Sequence, residues 1–156
     1  ESFAKALKGA LREDPDVILV GELRDLETIG MALTAAETGH LVFGTLHTSG
    51  APNTINRIID VFPPAQQGQI RAQIAESLKM VITQKLFKKK DGSGRVAAFE
   101  TMVCTSPIKN LIRESKIHQI PSVMQTAQRE GMITMEKSIE GLIGTGIISN
   151  AETKSK

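Results

Sequence analysis

Residues 16–48 read DVILVGELRDLETIGMALTAAETGHLVFGTLHT, and this stretch determines the predicted architecture. Asp16–Val20 contains a short apolar run that is typical of a strand buried on both faces of a parallel sheet. Leu41–Leu46 is a second run of this kind. Between them, apolar residues recur at three- and four-residue spacing from Leu26 to Ala36, after an N-cap residue at Asp25, which predicts a helix. Strand, helix and strand form one crossover unit of an α/β fold with a parallel sheet.

The segments around this unit are predicted from their breakers and their periodicity. Ser2 is expected to cap a first helix that ends at Asp14–Pro15, because the residue before proline avoids helical dihedral angles. A long helix is predicted to carry the apolar residues of the range 70–86. The range 91–94, with its two glycines, predicts a hairpin loop before a strand over Arg95–Val103.

Beyond Cys104 the pattern changes to short helices, and we divide the chain accordingly. Residues 1–104 are predicted to form the α/β part, residues 105–150 a small helical subdomain, and residues 151–156 a polar tail. The chain begins at Glu1, without an initiator methionine, and runs directly into helical periodicity. We therefore expect it to be part of a longer protein.

Composition excludes several classes of protein. The 19 Lys and Arg residues against 17 Asp and Glu give a formal charge of +2, too small to predict a nucleic-acid or membrane-surface partner. The single cysteine, Cys104, excludes an internal disulfide and a multi-cysteine zinc site, as in a protein of a reducing compartment. No apolar run approaches the roughly 18 residues of a transmembrane helix. A cytoplasmic protein is the working assumption.

Polar residues follow both predicted strands, at the edge where ligands of parallel sheets bind. Glu22 follows the first strand, and Thr45 and His47 come at the end of the second. A glutamate there could accept a proton from water that attacks a phosphate, and an imidazole or hydroxyl could bind a phosphate oxygen. The simpler alternative for Glu22 is an exposed carboxylate that pairs with Arg24 or caps the next helix.

A shared metal site for His40 and His47 is disfavoured by strand geometry. Seven residues at about 3.3 Å each would separate them by roughly 23 Å and direct them to opposite faces. His40 stands at the other end of the strand and is interpreted as a hydrogen-bonded packing residue. No metal site is predicted within the chain.

A phosphate-binding loop is missing from these 156 residues. The pattern G-x-x-x-x-G-K-[ST] requires a Gly-Lys dipeptide, and the chain contains none. Gly92-Ser93-Gly94 does not replace it, because it precedes a strand and no helix N-terminus follows to receive a phosphate. The residues alone therefore indicate one half of a nucleotide site of an α/β protein.

Three ordered motifs resemble the secretion-type motor ATPases of type IV pili, and in particular their retraction motors. Arg12–Asp25 is similar to the Walker B region of this family, with Gly21 in place of the usual aspartate and Glu22 at the position of the catalytic base. Thr38–Thr48 resembles the family's histidine box. Pro107–Glu114, P-I-K-N-L-I-R-E, resembles the retraction motif A-I-R-N-L-I-R-E, although Pro107 and Lys109 depart from it.

This resemblance implies a RecA-like P-loop core that works as a ring hexamer and uses ATP to drive pilus retraction and twitching motility. Glu22 would orient the attacking water, His47 would bind the γ-phosphate with Thr45 and Gly21 nearby, and His40 would support the site. Asn110, Arg113 and Glu114 would serve coupling or subunit contact, unless their helix is simply an amphipathic packing element.

The resemblance also implies cofactors, partners and a location. ATP and Mg²⁺ would be held through a P-loop half outside this chain, so the chain alone should not hydrolyse ATP. The motor would act on the cytoplasmic face of the bacterial inner membrane, with a pilus platform protein as partner. Two alternatives stay open: a pilus-assembly or type II secretion ATPase, which usually carries paired C-x-x-C motifs, and a non-catalytic oligomerisation module of the same fold.

Overall fold

The computed structural model describes residues 3–10, 12–151 and 153. The predicted cap Ser2 and most of the predicted tail, namely residues 152 and 154–156, lie outside the described residues. The helices are α1 (Phe3–Ala10), α2 (Leu26–Glu37), α3 (Ala51–Asp60), α4 (Pro64–Ser77), α5 (Ser106–Arg113), α6 (Ile120–Thr126) and α7 (Met135–Gly144). The strands are β1 (Val17–Val20), β2 (Leu41–Gly44), β3 (Met80–Lys88) and β4 (Arg95–Val103).

The predicted crossover unit is present. β1 and β2 pair in parallel, with Val17 opposite Leu41 and Val20 opposite Gly44. α2 connects them, and its N-cap is Asp25, whose carboxylate accepts a hydrogen bond of 2.8 Å from the Thr28 amide. These contacts confirm the α/β prediction and the start of the helix.

The prediction that β1 is buried on both faces is wrong for the described residues. Ile18 and Val20 are buried, at 7% and 1% exposure, whereas Val17 and Leu19 are 54% and 74% exposed. Ile18 and Val20 pack with Ala35 of α2, so α2 covers one face of the pair. The apolar run of β1 therefore places Ile18 and Val20 on the face that α2 covers and Val17 and Leu19 on the exposed face.

The predicted helix over residues 70–86 is also wrong in its second half. α4 ends at Ser77, and Met80–Lys88 forms β3, which pairs antiparallel with β4 over nine residue pairs. Val81, Thr83 and Phe87 are buried at alternating positions, which is the period of a strand. The β-branched residues Val81, Ile82 and Thr83 favour this conformation locally. The predicted hairpin loop at residues 91–94 does connect the two strands.

One large core joins α2 to the elements that follow the parallel pair. α4 and α5 pack against each other, and α3 packs against β3. Buried residues from both sides of the 104/105 boundary share this core, among them Ile29, Ile55, Ile74, Met102, Ile108, Ile112, Ile120 and Met132. The helical segment after residue 104 is therefore packed directly on the α/β part.

Candidate functional site

Glu22 and His47 lie together at one edge of the parallel pair. Glu22 is the second residue after β1, and His47 is the third after β2. Because the strands are parallel, their carboxyl ends meet at the same edge, and Oε1 of Glu22 is 3.5 Å from Nε2 of His47. The Glu22 side chain is 26% exposed and that of His47 is 86% exposed. Both groups can therefore reach a ligand bound at this edge.

Thr45 holds the segment that carries Glu22. Its hydroxyl donates a hydrogen bond to the Gly21 carbonyl, and its own carbonyl accepts one of 2.9 Å from the Leu23 amide. The two residues that flank Glu22 are thus bonded to one residue of the neighbouring segment. The family resemblance implies that Thr45 lies near the nucleotide, and in the structure its hydroxyl bonds to the carbonyl of Gly21. A Cβ atom at Gly21 would meet no atom within 4 Å, so the space around this residue is open.

Arg24 lowers the pKa of the Glu22 carboxyl. The Arg24 guanidinium donates a hydrogen bond to Oε2 of Glu22. This bond is the largest cause that lowers the pKa of Glu22 below 4.5, and the charges of Arg24 and His47 lower it further. Asp25 is the cap of α2, so Glu22 does not serve as the cap. The carboxylate therefore accepts a hydrogen bond from Arg24 through Oε2, while its Oε1 lies 3.5 Å from Nε2 of His47.

His40 lies at the opposite end of β2 and makes packing contacts there. Its Nδ1 is 3.0 Å from the Ala35 carbonyl and 3.1 Å from the Thr38 hydroxyl. These contacts orient the ring at the junction of α2 and β2. Within residues 3–10, 12–151 and 153, no three His, Cys, Asp or Glu side chains are grouped closely enough to hold a metal ion.

The motif helix α5 is tied to α4. Arg113 donates a hydrogen bond of 3.0 Å to Oδ1 of Asn110 and pairs with Glu76 of α4, while Glu114 pairs with Lys116 at 2.6 Å. Arg113 and Glu76 are 40% and 63% exposed. The three predicted coupling residues are therefore exposed, and none of the contacts described for them involves Glu22 or His47.

Glu100 makes two long-range contacts that the sequence pattern did not predict. Its Oε1 accepts a hydrogen bond of 2.8 Å from the Ala51 amide at the start of α3. Its Oε2 accepts one of 3.4 Å from the Met135 amide at the start of α7. A glutamate within a strand carries no local signal for such contacts, because its partners lie 49 and 35 residues away.

Comparison with known proteins gives close relatives over almost the whole chain. A twitching motility protein of Neisseria gonorrhoeae is 60% identical over 95% of this chain, which covers 40% of that protein. The type IV pilus retraction ATPase PilT of Pseudomonas aeruginosa is 56% identical over 99% of this chain, which covers 45% of that protein. The chain thus spans less than half the length of these curated relatives.

A solved structure and a family model agree with these relatives. The crystal structure of the pilus retraction motor PilT with bound ADP superposes with a TM-score of 0.90 at 50% identity, over 99% of this chain and 43% of that chain. The mixed α/β fold class is thereby confirmed. The family model described as "Type II/IV secretion system protein" matches residues 1–154. The chain therefore belongs to the type II/IV secretion system protein family.

Proposed function

We propose that this chain supplies the glutamate and histidine of an ATPase site in a motor that drives retraction of type IV pili. The observation that carries the proposal is the 3.5 Å contact between Glu22 and His47 at the carboxyl edge of the parallel pair. The name of the relative from Pseudomonas aeruginosa supports retraction as the direction of the motor, and that of the relative from Neisseria gonorrhoeae supports a role in twitching motility. The ADP in the similar solved structure supports a nucleotide as ligand.

Glu22 would orient the attacking water in this site. Its carboxylate is ionised at neutral pH, so that it accepts a hydrogen bond from the water and directs an oxygen lone pair at the γ-phosphorus. Arg24 holds one carboxylate oxygen and leaves the other beside His47. One oxygen of the carboxylate thus bonds to Arg24, which positions the side chain, and the other would accept the hydrogen bond from the water.

His47 would stabilise the charge that develops on the phosphate. Its ring is 86% exposed, and a hydrogen bond from the ring to a phosphate oxygen would strengthen as negative charge grows in the transition state. Thr45 and Gly21 contribute by fixing the backbone around Glu22. His40 supports the far end of β2 and touches no reacting atom in this scheme.

The phosphate-binding loop and the residues that coordinate Mg²⁺ would lie outside these 156. The chain has no Gly-Lys dipeptide, and the described residues offer no cluster of metal ligands. Mg²⁺ would therefore be bound by the P-loop half of the complete protein. We accordingly propose that the isolated chain does not hydrolyse ATP.

The higher-order organisation also belongs to the proposal. We propose a homo-hexameric ring that lies at the cytoplasmic face of the inner membrane and contacts a pilus platform protein. Within each subunit, residues 1–104 would form part of the ATPase core, residues 105–150 a helical subdomain and residues 151–156 a polar tail. No helix among the described residues is long and apolar enough to cross a membrane. Asn110, Arg113 and Glu114 on the exposed side of α5 are proposed to serve coupling or subunit contact.

The test uses the complete protein that carries this chain. Glu22→Gln keeps the shape of the side chain but removes its charge, so turnover should fall by about 100-fold or more while ATP binding is retained. His47→Ala should lower turnover by about 10- to 100-fold. Glu27→Gln is the matched control, because Glu27 is an exposed carboxylate in the first turn of α2. Wild-type turnover in Glu22→Gln would refute the assignment, and a complete protein without ATPase activity would favour an oligomerisation module.

A further inference from the structure

The start of α3 has no side-chain cap of its own. Gly50 occupies the N-cap position with a φ of 83° and makes no side-chain hydrogen bond to the helix. The next residue, Ala51, is fully buried, at 0% exposure. A buried backbone amide at a helix start needs an acceptor, because leaving it unpaired is costly.

Glu100 of β4 supplies this acceptor from outside the helix. Oε1 accepts the 2.8 Å bond from Ala51, and Oε2 accepts the 3.4 Å bond from Met135, which is the first residue of α7. A carboxylate at these positions also interacts favourably with the positive ends of both helix dipoles. One side chain therefore caps two helices that are far apart in the sequence.

The start of α3, which Glu100 caps, follows His47 closely in the chain. Gly50 is three residues after His47. The loop between them is fastened to α3, since the Thr48 hydroxyl lies 2.8 Å from that of Thr54 and Asn53 donates a hydrogen bond of 2.8 Å to the Ser49 carbonyl. The loop that follows His47 is therefore hydrogen bonded to the first turn of α3.

The start of α7, which Glu100 also caps, belongs to the helical segment that follows residue 104. Thr101 and Ile133 form a two-way backbone bridge, with bonds of 2.9 and 3.0 Å, just before α7. A second bond joins β4 to α7, because the Phe99 amide donates to the Ser138 hydroxyl at 3.0 Å. This second bond does not involve α3.

We propose that Glu100 is a positioning residue that holds the His47 loop in its catalytic geometry and links that geometry to the docking of α7. The inference rests on the proposed function, because His47 has its role there. Glu100 itself touches no reacting atom. Its effect passes through the Ala51 amide, the start of α3 and the loop that follows β2.

Three variants distinguish capping of α3 and α7 by the Glu100 carboxylate from a packing role of the same side chain. Glu100→Ala removes both acceptors, and Glu100→Gln keeps one oxygen acceptor, because its NH₂ group can only donate. Ser138→Ala removes the bond from β4 to α7 and leaves the contact with Ala51 in place. Ser138→Ala is therefore the matched control for a loosened α7.

The experiment measures hydrogen exchange and steady-state ATP hydrolysis in the complete protein. In Glu100→Ala we expect faster exchange in peptides over residues 45–52 and 133–137, and a kcat lower by about 10- to 100-fold, as for a misplaced catalytic group. KM for ATP should change less than threefold, and Glu100→Gln should lie between Glu100→Ala and the parent. Ser138→Ala should speed exchange only in the α7 peptide and keep the parental kcat.

Two kinds of result would overturn the proposal, one in hydrogen exchange and one in kcat. One is unchanged exchange over residues 45–52 in both Glu100 variants, which would mean that the carboxylate does not hold the loop. The other is a kcat that stays at the parental value in Glu100→Gln and Glu100→Ala, or that falls equally in Ser138→Ala. Failure of the proposed function is distinguishable, because Glu22→Gln would then leave turnover unchanged while the exchange data still report on Glu100.

Discussion

The amide of Leu23 donates a hydrogen bond of 2.9 Å to the carbonyl of Thr45. This bond extends the parallel pairing beyond the last paired residues of the strands, Val20 and Gly44. It fixes the residue after Glu22 to the residue two positions before His47. The backbone segments that carry the carboxylate and the imidazole are therefore hydrogen bonded to each other, and we expect changes in this pairing to alter catalysis.

Gly44→Ala should disturb this arrangement through Leu23. A Cβ atom at residue 44 would lie 2.6 Å from Cδ1 and 2.9 Å from Cγ of Leu23, so the leucine side chain must move. We expect a stability loss of about 1 kcal/mol and, in the complete protein, a kcat lower by about tenfold because Glu22 is adjacent. Thermal unfolding and steady-state kinetics would measure the two effects.

The double variant Gly44→Ala with Leu23→Ala is the control for that experiment. It removes the side chain that the new methyl group would meet and should recover at least part of the lost kcat. If kcat of Gly44→Ala equals that of the parent, the position of Leu23 does not influence Glu22.

Arg24→Ala should raise the pKa of Glu22. The hydrogen bond from Arg24 is the largest cause of the lowered pKa, so its removal lets the value rise toward 4.5. An NMR titration of the Glu22 carboxyl carbon would show the shift, and the acid limb of ATP hydrolysis should move to higher pH. Arg57→Ala, which removes an exposed cation of α3, should leave the titration unchanged. A lower pKa in Arg24→Ala would contradict the assignment of the ion pair.

Arg113→Ala should impair pilus movement more than ATP hydrolysis in the complete motor. Its pairing with Glu76 is exposed, so loss of the pair should lower Tm by no more than about 4 °C. Glu76→Ala removes the same pair and should leave movement near the parental rate. Equal loss of movement in both variants would assign Arg113 to the contact between α4 and α5 alone.

Cys104 should react slowly with alkylating reagents in the folded chain. Burial raises the pKa of this thiol from 9.0 to about 11, so its thiolate fraction at pH 8 is about a hundredfold smaller than in the unfolded chain. Its contribution to stability is present below about pH 9 and is lost as the pH rises toward 11. Reaction with a maleimide in buffer and in guanidinium would measure the ratio, and equal rates would show that Cys104 is accessible.

Local signals were sufficient where neighbouring residues determine the structure. Asp25 caps α2 because its acceptor and the Thr28 amide are three residues apart, and the glycines of residues 91–94 form the expected hairpin loop. The same reasoning failed for β3. Apolar residues of the range 70–86 fit a helical period, yet Met80–Lys88 gains its hydrogen bonds from β4, and this pairing adds to the local preference of its β-branched residues for a strand.

The amino-acid sequence by itself determined the crossover unit, the residues that follow each strand and the resemblance to motor ATPases, because these depend on short-range order along the chain. Tertiary structure alone decided which face of β1 is covered, that Arg113 pairs with Glu76, and that Glu100 caps α3 and α7 together. The physical reason is that hydrogen bonds and burial depend on which residues are close in space, and these residues can be far apart in the sequence. A glutamate in a strand has the same local sequence whether its carboxylate meets water or two helix ends.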